Sequence, residues 1–182
     1  LCYLSYEGKP VKASRLFAGH EHEQQVKNLA AHFKKPAHYY SGVVCNNEIL
    51  NRLKYSMPLK NKTTGNRESN FQFRVLDDFS CYEEAYHRLI SDIIMQQIKS
   101  TNLVLAGTQV KRIFVDGGFS KNPIYMFLLA EAFPHIEVYA ASVAQASALG
   151  AALAIHKHWN AKQLPSDIID LKLYSVVHNT TL

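Results

Sequence analysis

The chain has 182 residues, of which 47% are hydrophobic and 19% are charged. This length suits a single domain with its own core, and this composition excludes both a disordered chain and a membrane protein. The formal charge of +5 comes from Lys and Arg residues that are spread along the chain without a nucleic-acid-binding motif, so we expect no nucleic-acid partner. No apolar run is long enough to cross a bilayer and no cleavable leader opens the sequence, which predicts a cytoplasmic protein without a membrane partner.

The three cysteines, Cys2, Cys45 and Cys81, are far apart in the sequence and include no Cys-x-x-Cys pair. Metal knuckles and disulfide frameworks need cysteines at characteristic spacings, so neither is indicated. We therefore expect the thiols to be reduced and partly buried.

The first third of the chain predicts a hairpin and two helices. Residues 1–5 and 11–17 have the composition of strands around a Glu-Gly-Lys-Pro turn. Apolar residues at helical spacing predict an amphipathic helix over residues 20–33 that packs on a sheet. A shorter helix is predicted over residues 46–55, and the polar, turn-rich stretch at about residues 58–70 predicts an exposed loop.

The next segment predicts a strand and a long helix. Phe71, Phe73 and Val75 alternate with polar residues, which is typical of a short half-buried strand. Ser80 and Glu83 have the spacing of a capping box, which marks the start of a helix. Large apolar residues then recur at helical spacing and predict core packing rather than a ligand site: Tyr82, Tyr86, Leu89, Ile90, Ile93, Ile94 and Ile98.

The stretch from Arg112 to Pro123 leads an apolar strand into two glycines and then into a helix. The unbroken apolar run before the glycines predicts a strand buried on both faces of a parallel sheet. Gly117 and Gly118 can take conformations that let a ligand lie against bare backbone. The following helix, over residues 124–133, would offer free N–H groups to a phosphate or a polar ligand edge. A tight strand-to-helix connection without a ligand is the alternative interpretation.

A second strand and helix follow. Residues 136–139 predict the strand, and the capping-box spacing of residues 142–145 predicts the start of a helix that continues to Ile155. Small residues on this helix, at three- and four-residue spacing, predict close approach to a neighbouring element: Ala146, Ser147, Gly150, Ala151 and Ala154. Residues 164–174 are apolar enough to pack back on the domain.

Two histidine pairs invite a metal-binding interpretation, which their spacing does not favour. The His-Glu-His-Glu run at residues 20–23 lacks the H-E-x-x-H spacing that places two imidazoles one helical turn apart. His156 and His158 are two residues apart and so point to different faces of a helix. Both pairs are predicted to lie at solvated helix ends, without a metal.

Together, the segments VDGGFSKNPIYMFLLAEAF and AASVAQASALGAALAIHKHW resemble the C-terminal domain of the FGGY carbohydrate kinases. The resemblance is specific from Arg112 to about Trp159 and looser upstream. It rests on a Gly-Gly-x-x-x-Asn turn, a methionine in the next helix and an Ala-Leu-Gly-Ala-Ala helix in the family's order. The resemblance implies an α/β, ribonuclease H-like (actin-like ATPase) domain, with a mixed sheet flanked by helices.

The resemblance also implies a nucleotide site. In that family the glycine turn forms part of the ATP site, and its second glycine and its asparagine lie beside the adenosine. By motif these residues are Gly118 and Asn122, with Gly117 and Phe119 lining the same wall. Ser120 and Asn122 can each cap the following helix. An asparagine that caps its own helix cannot also serve a ligand with its amide, so we expect Ser120 to be the cap.

The family further implies a partner half. FGGY kinases have two related α/β domains with ATP between them, and the N-terminal domain carries the phosphate hairpin, most of the sugar site, most of the Mg²⁺ site and the catalytic base. No Asp-x-Gly-Thr hairpin occurs in residues 1–182. We therefore expect these residues to form a single domain, the nucleotide-side half of a two-domain kinase with ATP and a sugar as substrates. The alternative is a non-catalytic actin-like module for partner binding or sugar sensing, and oligomers are possible in either case.

Overall fold

The computed structural model describes residues 2–5, 8–56, 69–141, 146–164, 168 and 170–175. Its strands are β1 (Cys2–Leu4), β2 (Pro10–Lys12), β3 (Arg112–Val115), β4 (Glu137–Ala141) and β5 (Leu171–Tyr174), and its helices are α1 (Gly19–His32), α2 (Asn47–Ser56), α3 (Tyr82–Leu105), α4 (Pro123–Ala132) and α5 (Ala146–Trp159). Short 3-10 turns cover Tyr39–Gly42, Asn70–Phe73, Leu76–Asp78 and Gly118–Lys121. None of the described helices is long and apolar enough to span a membrane.

The long helix α3 is the centre of the packing. It lies against α1, α2, α4 and the 3-10 turn at Asn70–Phe73. Six of the seven residues in its predicted apolar stripe are buried, and Ile98 packs against the core from a partly buried position. The core prediction for this helix is confirmed.

The predicted helix at residues 20–33 is confirmed, but its packing partner is different from the one expected. Val26, Leu29 and Ala30 form its buried face. This face packs against α3 and not against a sheet. The reason is that α3 is buried on several sides, so that it packs against α1 on one side and against α4 on another.

The described sheets are a two-stranded hairpin and a three-stranded mixed sheet. β1 and β2 are antiparallel, which confirms the predicted hairpin, although the second strand ends at Lys12. In the larger sheet the order is β3-β4-β5, with β3 and β4 parallel and β4 and β5 antiparallel. Within the predicted segment at residues 164–174, the described residues Leu171–Tyr174 return to the domain as strand β5.

The larger sheet has one covered and one exposed face. Helix α4 packs on β4 and β5, and Val138 and Ala140 belong to the same core as α4. On the opposite face Phe114, Tyr139 and Leu173 occupy one row of the register, and Phe114 remains 54% exposed. The prediction that β3 is buried on both faces is therefore wrong for the described residues, because helices cover this sheet on a single side.

Two local predictions are wrong. The segment predicted as a strand at residues 71–75 is not a strand, because residues 71–73 belong to the 3-10 turn Asn70–Phe73, in which Phe71 is buried, and Arg74 reaches a buried carboxylate, Asp92. The capping box at Ser80 also differs: Cys81 occupies the N-cap position of α3 without a side-chain bond, and Ser80 bonds instead to Glu84.

Helix α5 does not show the predicted close approach. Gly150 and Ala151 are exposed, and a Cβ added at Gly150 would meet nothing within 4 Å among the described residues. Gly150 and Ala151 therefore do not pack this helix tightly onto a described element, and the side chains of Ala146 and Ser147 lie outside the described residues. The predicted capping box at residues 142–145 and most of the predicted loop at 58–70 lie outside the described residues.

The described architecture is mixed α/β, with a three-stranded mixed sheet flanked by helices. This matches the predicted fold class at that level. The finer assignment to a ribonuclease H-like fold stays a prediction.

Candidate functional site

The glycine turn lies at the carboxyl end of β3, where it leads into α4. Gly117 has φ +88°, a left-handed conformation that strains any residue with a Cβ. Gly118 then begins the 3-10 turn Gly118–Lys121. In open α/β sheets, ligands bind outside the carboxyl ends of the strands, and this turn has that position.

Local hydrogen bonds fix the shape of the turn. Asp116 Oδ1 accepts a hydrogen bond from the Gly117 N–H at 2.7 Å. The Gly117 carbonyl accepts from the Ser120 N–H at 3.2 Å and from the Ser120 hydroxyl at 2.8 Å. Ser120 is buried and is committed to holding the turn closed. It therefore cannot cap α4, and the expectation that it does so is wrong.

Asn122 is the cap of α4. Its Oδ1 accepts hydrogen bonds from the Ile124 and Tyr125 N–H groups, both at 3.0 Å. Its Nδ2 donates to the Tyr86 hydroxyl on α3 at 2.8 Å. Both acceptor positions of the amide oxygen are thus occupied, and one of the two Nδ2 hydrogens is left for another partner. Asn122 can serve a ligand only through that remaining N–H.

The start of α4 does not offer the free N–H groups that the sequence suggested. Pro123 has no N–H group, Asn122 Oδ1 satisfies the next two residues, and the Met126 N–H bonds to the Asn122 carbonyl. The backbone donors left at this site belong to Gly118 and Phe119, whose N–H groups have no acceptor among the described residues. A ligand would be held by the 3-10 turn and not by the helix.

The two glycines have different structural requirements. Gly117 needs its positive φ for the turn to form. Gly118 has no such constraint, and a Cβ added there would meet nothing within 4 Å among the described residues. The fold of the described residues therefore does not require a glycine at position 118. Both glycines are exposed, so a ligand can reach this backbone directly.

Tyr86 and His22 form a hydrogen-bonded chain with Asn122, the residue that follows the turn. The Tyr86 hydroxyl, which accepts from Asn122, also hydrogen-bonds to His22 Nε2 on α1 at 3.1 Å. Burial lowers the pKa of His22, and burial raises the pKa of Tyr86, so both side chains are held neutral. This chain of contacts links α1, α3 and the start of α4.

Phe119 packs into the same group of rings. It stacks on Tyr125 with ring centroids 4.8 Å apart and meets His22 edge-on at 5.4 Å. Its side chain is partly buried. One side of the Phe119 ring is thus fixed by protein contacts, which gives the exposed backbone beside it a rigid base.

Neither Tyr86 nor His22 was predicted to take part in the site. Tyr86 was assigned to core packing, which its burial supports, but its hydroxyl also positions Asn122. His22 was assigned to a solvated helix end, and this is wrong because three aromatic rings surround it. No local pattern identifies either contact, since each joins residues that are distant in sequence.

The residues around the two predicted histidine pairs differ in how far they are buried. Glu21 is buried and accepts hydrogen bonds from Ser69, and His156 is buried beside Trp159. The prediction of solvated positions is therefore wrong for these two residues. His20 and His158 are exposed. Among the described residues no three His, Cys, Asp or Glu side chains are grouped so as to hold a metal ion.

Two of the cysteines lie within the described side chains. Cys45 and Cys81 are free and partly buried, as predicted. Burial raises the pKa of Cys45 to about 11, which keeps its thiol protonated at neutral pH.

Comparison with known proteins identifies the family. The family model described as Carbohydrate kinase FGGY, C-terminal domain, matches residues 1–163. A search of curated proteins and a search of solved structures each found no match. The matched region contains the glycine turn, the Asn122 cap and helix α5. The chain therefore belongs to the FGGY carbohydrate kinase family, as a C-terminal domain of that family.

Proposed function

We propose that this chain is the nucleotide-side half of a sugar kinase that transfers the γ-phosphate of ATP to a sugar hydroxyl. The observation that carries the proposal is Gly118. It is exposed, its backbone N–H lacks an acceptor among the described residues, and the described fold has room for a Cβ there. A glycine that the fold does not require is explained by a ligand that lies against its backbone.

In this proposal the chain contributes binding and orientation. The Gly118 and Phe119 N–H groups and the remaining Nδ2 hydrogen of Asn122 supply donors to the adenosine side of ATP, and Gly117 shapes the wall. Asn122 is held in place by Tyr86, so its free N–H has a fixed direction. Phosphoryl transfer depends mainly on positioning and charge stabilisation, so a well-fixed nucleotide wall is a substantial contribution.

The remaining groups are assigned to the N-terminal half. Mg²⁺, when bound, neutralises charge on the transferring phosphate. The described residues contain no grouping of three potential metal ligands to hold it. The catalytic base and the sugar-selecting residues are likewise assigned to the partner domain. This chain alone is then expected to bind nucleotide weakly and to be inactive, in a cytoplasmic enzyme.

The experiment compares ATP and sugar kinetics in the kinase that contains this chain. Gly118→Val places a branched side chain where the nucleotide is proposed to lie. We expect the apparent KM for ATP to rise about tenfold or more, because overpacking costs about 1–3 kcal/mol. The KM for the sugar should stay nearly unchanged.

Gly42→Val is the matched control. Gly42 is also exposed, ends a 3-10 turn, and has open space at its Cβ position among the described residues. It should leave both KM values unchanged. An unaltered KM for ATP in Gly118→Val would mean that Gly118 only shapes the turn and does not contact the nucleotide. Sugar phosphorylation by the isolated chain would contradict the assignment of the catalytic base to the N-terminal half.

A further inference from the structure

A cavity lies between α2, α3 and α4, away from the glycine turn. Its volume is about 460 Å³, within the range of small-molecule sites, which span about 300–1,000 Å³. Most of its lining is aliphatic and includes Leu50, Ile94 and Leu128. It borders the C-terminal end of α4, whereas the glycine turn precedes the N-terminal end of this ten-residue helix. The two sites share no residue.

A buried guanidinium lines this apolar cavity. Arg88 is 8% exposed, and the one hydrogen bond that it makes among the described residues runs from Nη2 to the Leu53 carbonyl at 2.7 Å. Its Nε is buried without a hydrogen-bond partner in the described part of the chain. An arginine has five donors, so most donors of this cation have no acceptor within the part of the chain that the structure describes.

The nearby carboxylates do not compensate this charge directly. Asp92 is held by both Nε and Nη2 of Arg74, at 2.5 and 2.9 Å. Glu84 bonds to Ser80 and Arg52. Burial lowers the pKa of Arg88 and the charge of Arg74 lowers it further, while the more distant attraction of Asp92 and Glu84 acts in the opposite direction without a direct contact. A buried cation without a close counterion is costly, and an anion placed beside it removes that cost.

The charged residues at the described edge of the cavity pair with each other. Lys54 Nζ on α2 bonds to Glu131 Oε1 on α4 at 2.5 Å, and both residues line the cavity. Because Lys54 and Glu131 pair with each other, Arg88 is the charged residue without a direct ion pair among the described lining residues. A ligand that fits must bring one anionic group for Arg88 and an apolar body for the surrounding aliphatic side chains.

We propose that this cavity binds a small amphipathic carboxylate, with its carboxylate on Arg88 and its hydrocarbon part against α2, α3 and α4. The site is separate from the proposed nucleotide wall and does not depend on it. Through α4 the two sites border opposite ends of one helix.

The test uses octanoate as the probe and the chain labelled with ¹³C at the methionine methyl groups. Met95 lines the cavity, whereas Met126 is fully buried in the core and serves as an internal reference. We expect octanoate to shift the Met95 methyl signal saturably and to leave Met126 unchanged. Octanamide has the same shape without the charge and should bind at least about tenfold more weakly, as expected for loss of a charged hydrogen bond.

Variants separate the role of Arg88 from general effects. Arg88→Leu should weaken octanoate binding about tenfold or more. Arg52→Leu removes an exposed arginine from α2 and should leave binding unchanged. Should Arg88→Leu fail to fold, Ala132→Leu, which fills the cavity from α4, should abolish the Met95 shift. The proposal is overturned by the absence of a saturable Met95 shift, by equal affinity for octanamide, or by octanoate binding that survives Ala132→Leu.

Discussion

The helical region around α3 and the sheet region formed by β3, β4 and β5 differ in how completely they are covered. In the helical region, α3 is surrounded by α1, α2 and α4, and its central side chains are fully buried. In the sheet region one face packs on α4, while Phe114, Leu171 and Leu173 stay exposed on the other. The stability of the described chain should therefore reside mainly in the helical region.

This difference also bears on the site. The glycine turn belongs to the sheet region by sequence, since it follows β3 directly. Its supporting contacts come from the helical region, through Tyr86 and His22. A loosely covered sheet thus presents a turn that is held in place by the better-packed part of the molecule.

The largest expected effect on stability tests the difference in burial between the helical region and the sheet region. Leu89→Ala removes a fully buried side chain from α3 and should lower the free energy of unfolding by about 2–5 kcal/mol. Leu173→Ala makes the same change at a residue that is 49% exposed and should cost about 0.5 kcal/mol or less. Urea unfolding of both variants gives the two values. Similar costs would mean that the outer sheet face is buried in solution.

The next effect concerns the connection between the two regions. Asn122→Ala removes the cap of α4 and the bond to Tyr86, and should cost about 2 kcal/mol, the upper end for a cap. Asn46 is the matched control, because its Oδ1 also accepts two N–H groups at a helix start but is exposed. Asn46→Ala should cost about 1 kcal/mol. If urea unfolding gave the same loss of stability for Asn122→Ala and Asn46→Ala, the hydrogen bond from Asn122 to Tyr86 would contribute no stability.

Within the turn, the two glycines should respond differently. Gly117→Ala forces a Cβ into a left-handed conformation and should cost about 1–2 kcal/mol. Gly118→Ala should change the free energy of unfolding by no more than about 0.5 kcal/mol, since its Cβ would meet open space among the described residues. Thermal unfolding at matched buffer conditions compares them. A large loss in Gly118→Ala would show that the fold itself requires this glycine.

The smallest effect is a pH dependence located in the helical region. His87 Nε2 accepts a hydrogen bond from the Asn46 N–H at 3.0 Å, and His87 Nδ1 donates to the Glu83 carbonyl at 2.6 Å. The neutral imidazole satisfies both contacts, whereas a proton on Nε2 would remove its bond with Asn46. Burial lowers the pKa of His87 below 6.5. The unfolded chain then binds the proton first, and stability present above the unfolded pKa is lost as pH falls.

Free energies of unfolding at about pH 7.5 and about pH 5.5 measure this loss. His87→Gln should reduce the difference between the two values, and His22, whose pKa burial also lowers, contributes to what remains. His158→Gln, at an exposed position on α5, should leave the difference unchanged. An identical pH dependence in all three proteins would exclude His87 as its source.

Local patterns predicted the elements well because each depends on neighbouring residues. The α3 stripe, the Pro123 helix start and the glycine break after β3 follow from spacing and backbone preference. The choice between Ser120 and Asn122 as the cap could not be predicted in this way, since both side chains can accept the required bonds. The deciding contacts are the Gly117 carbonyl for Ser120 and the distant Tyr86 for Asn122.

Errors elsewhere have the same origin. The alternation at residues 71–75 resembles a strand, but Arg74 pairs with the buried Asp92, which belongs to α3. His22 resembles a solvent-exposed helix residue, but rings from three other elements enclose it. Tertiary contacts between residues distant in sequence override local preference at these positions, and a single sequence does not reveal which residues will meet.

The residue that follows Asn122 also affects how long its amide lasts. Asparagine ages by deamidation when the nitrogen of the next residue attacks the side-chain carbonyl and closes a succinimide ring. That reaction needs a backbone N–H, which proline lacks. Because Pro123 follows Asn122, the amide that caps α4 and holds Tyr86 is shielded from this route of chemical damage. The junction between the glycine turn and the helical core thus places its asparagine where this deamidation route is closed.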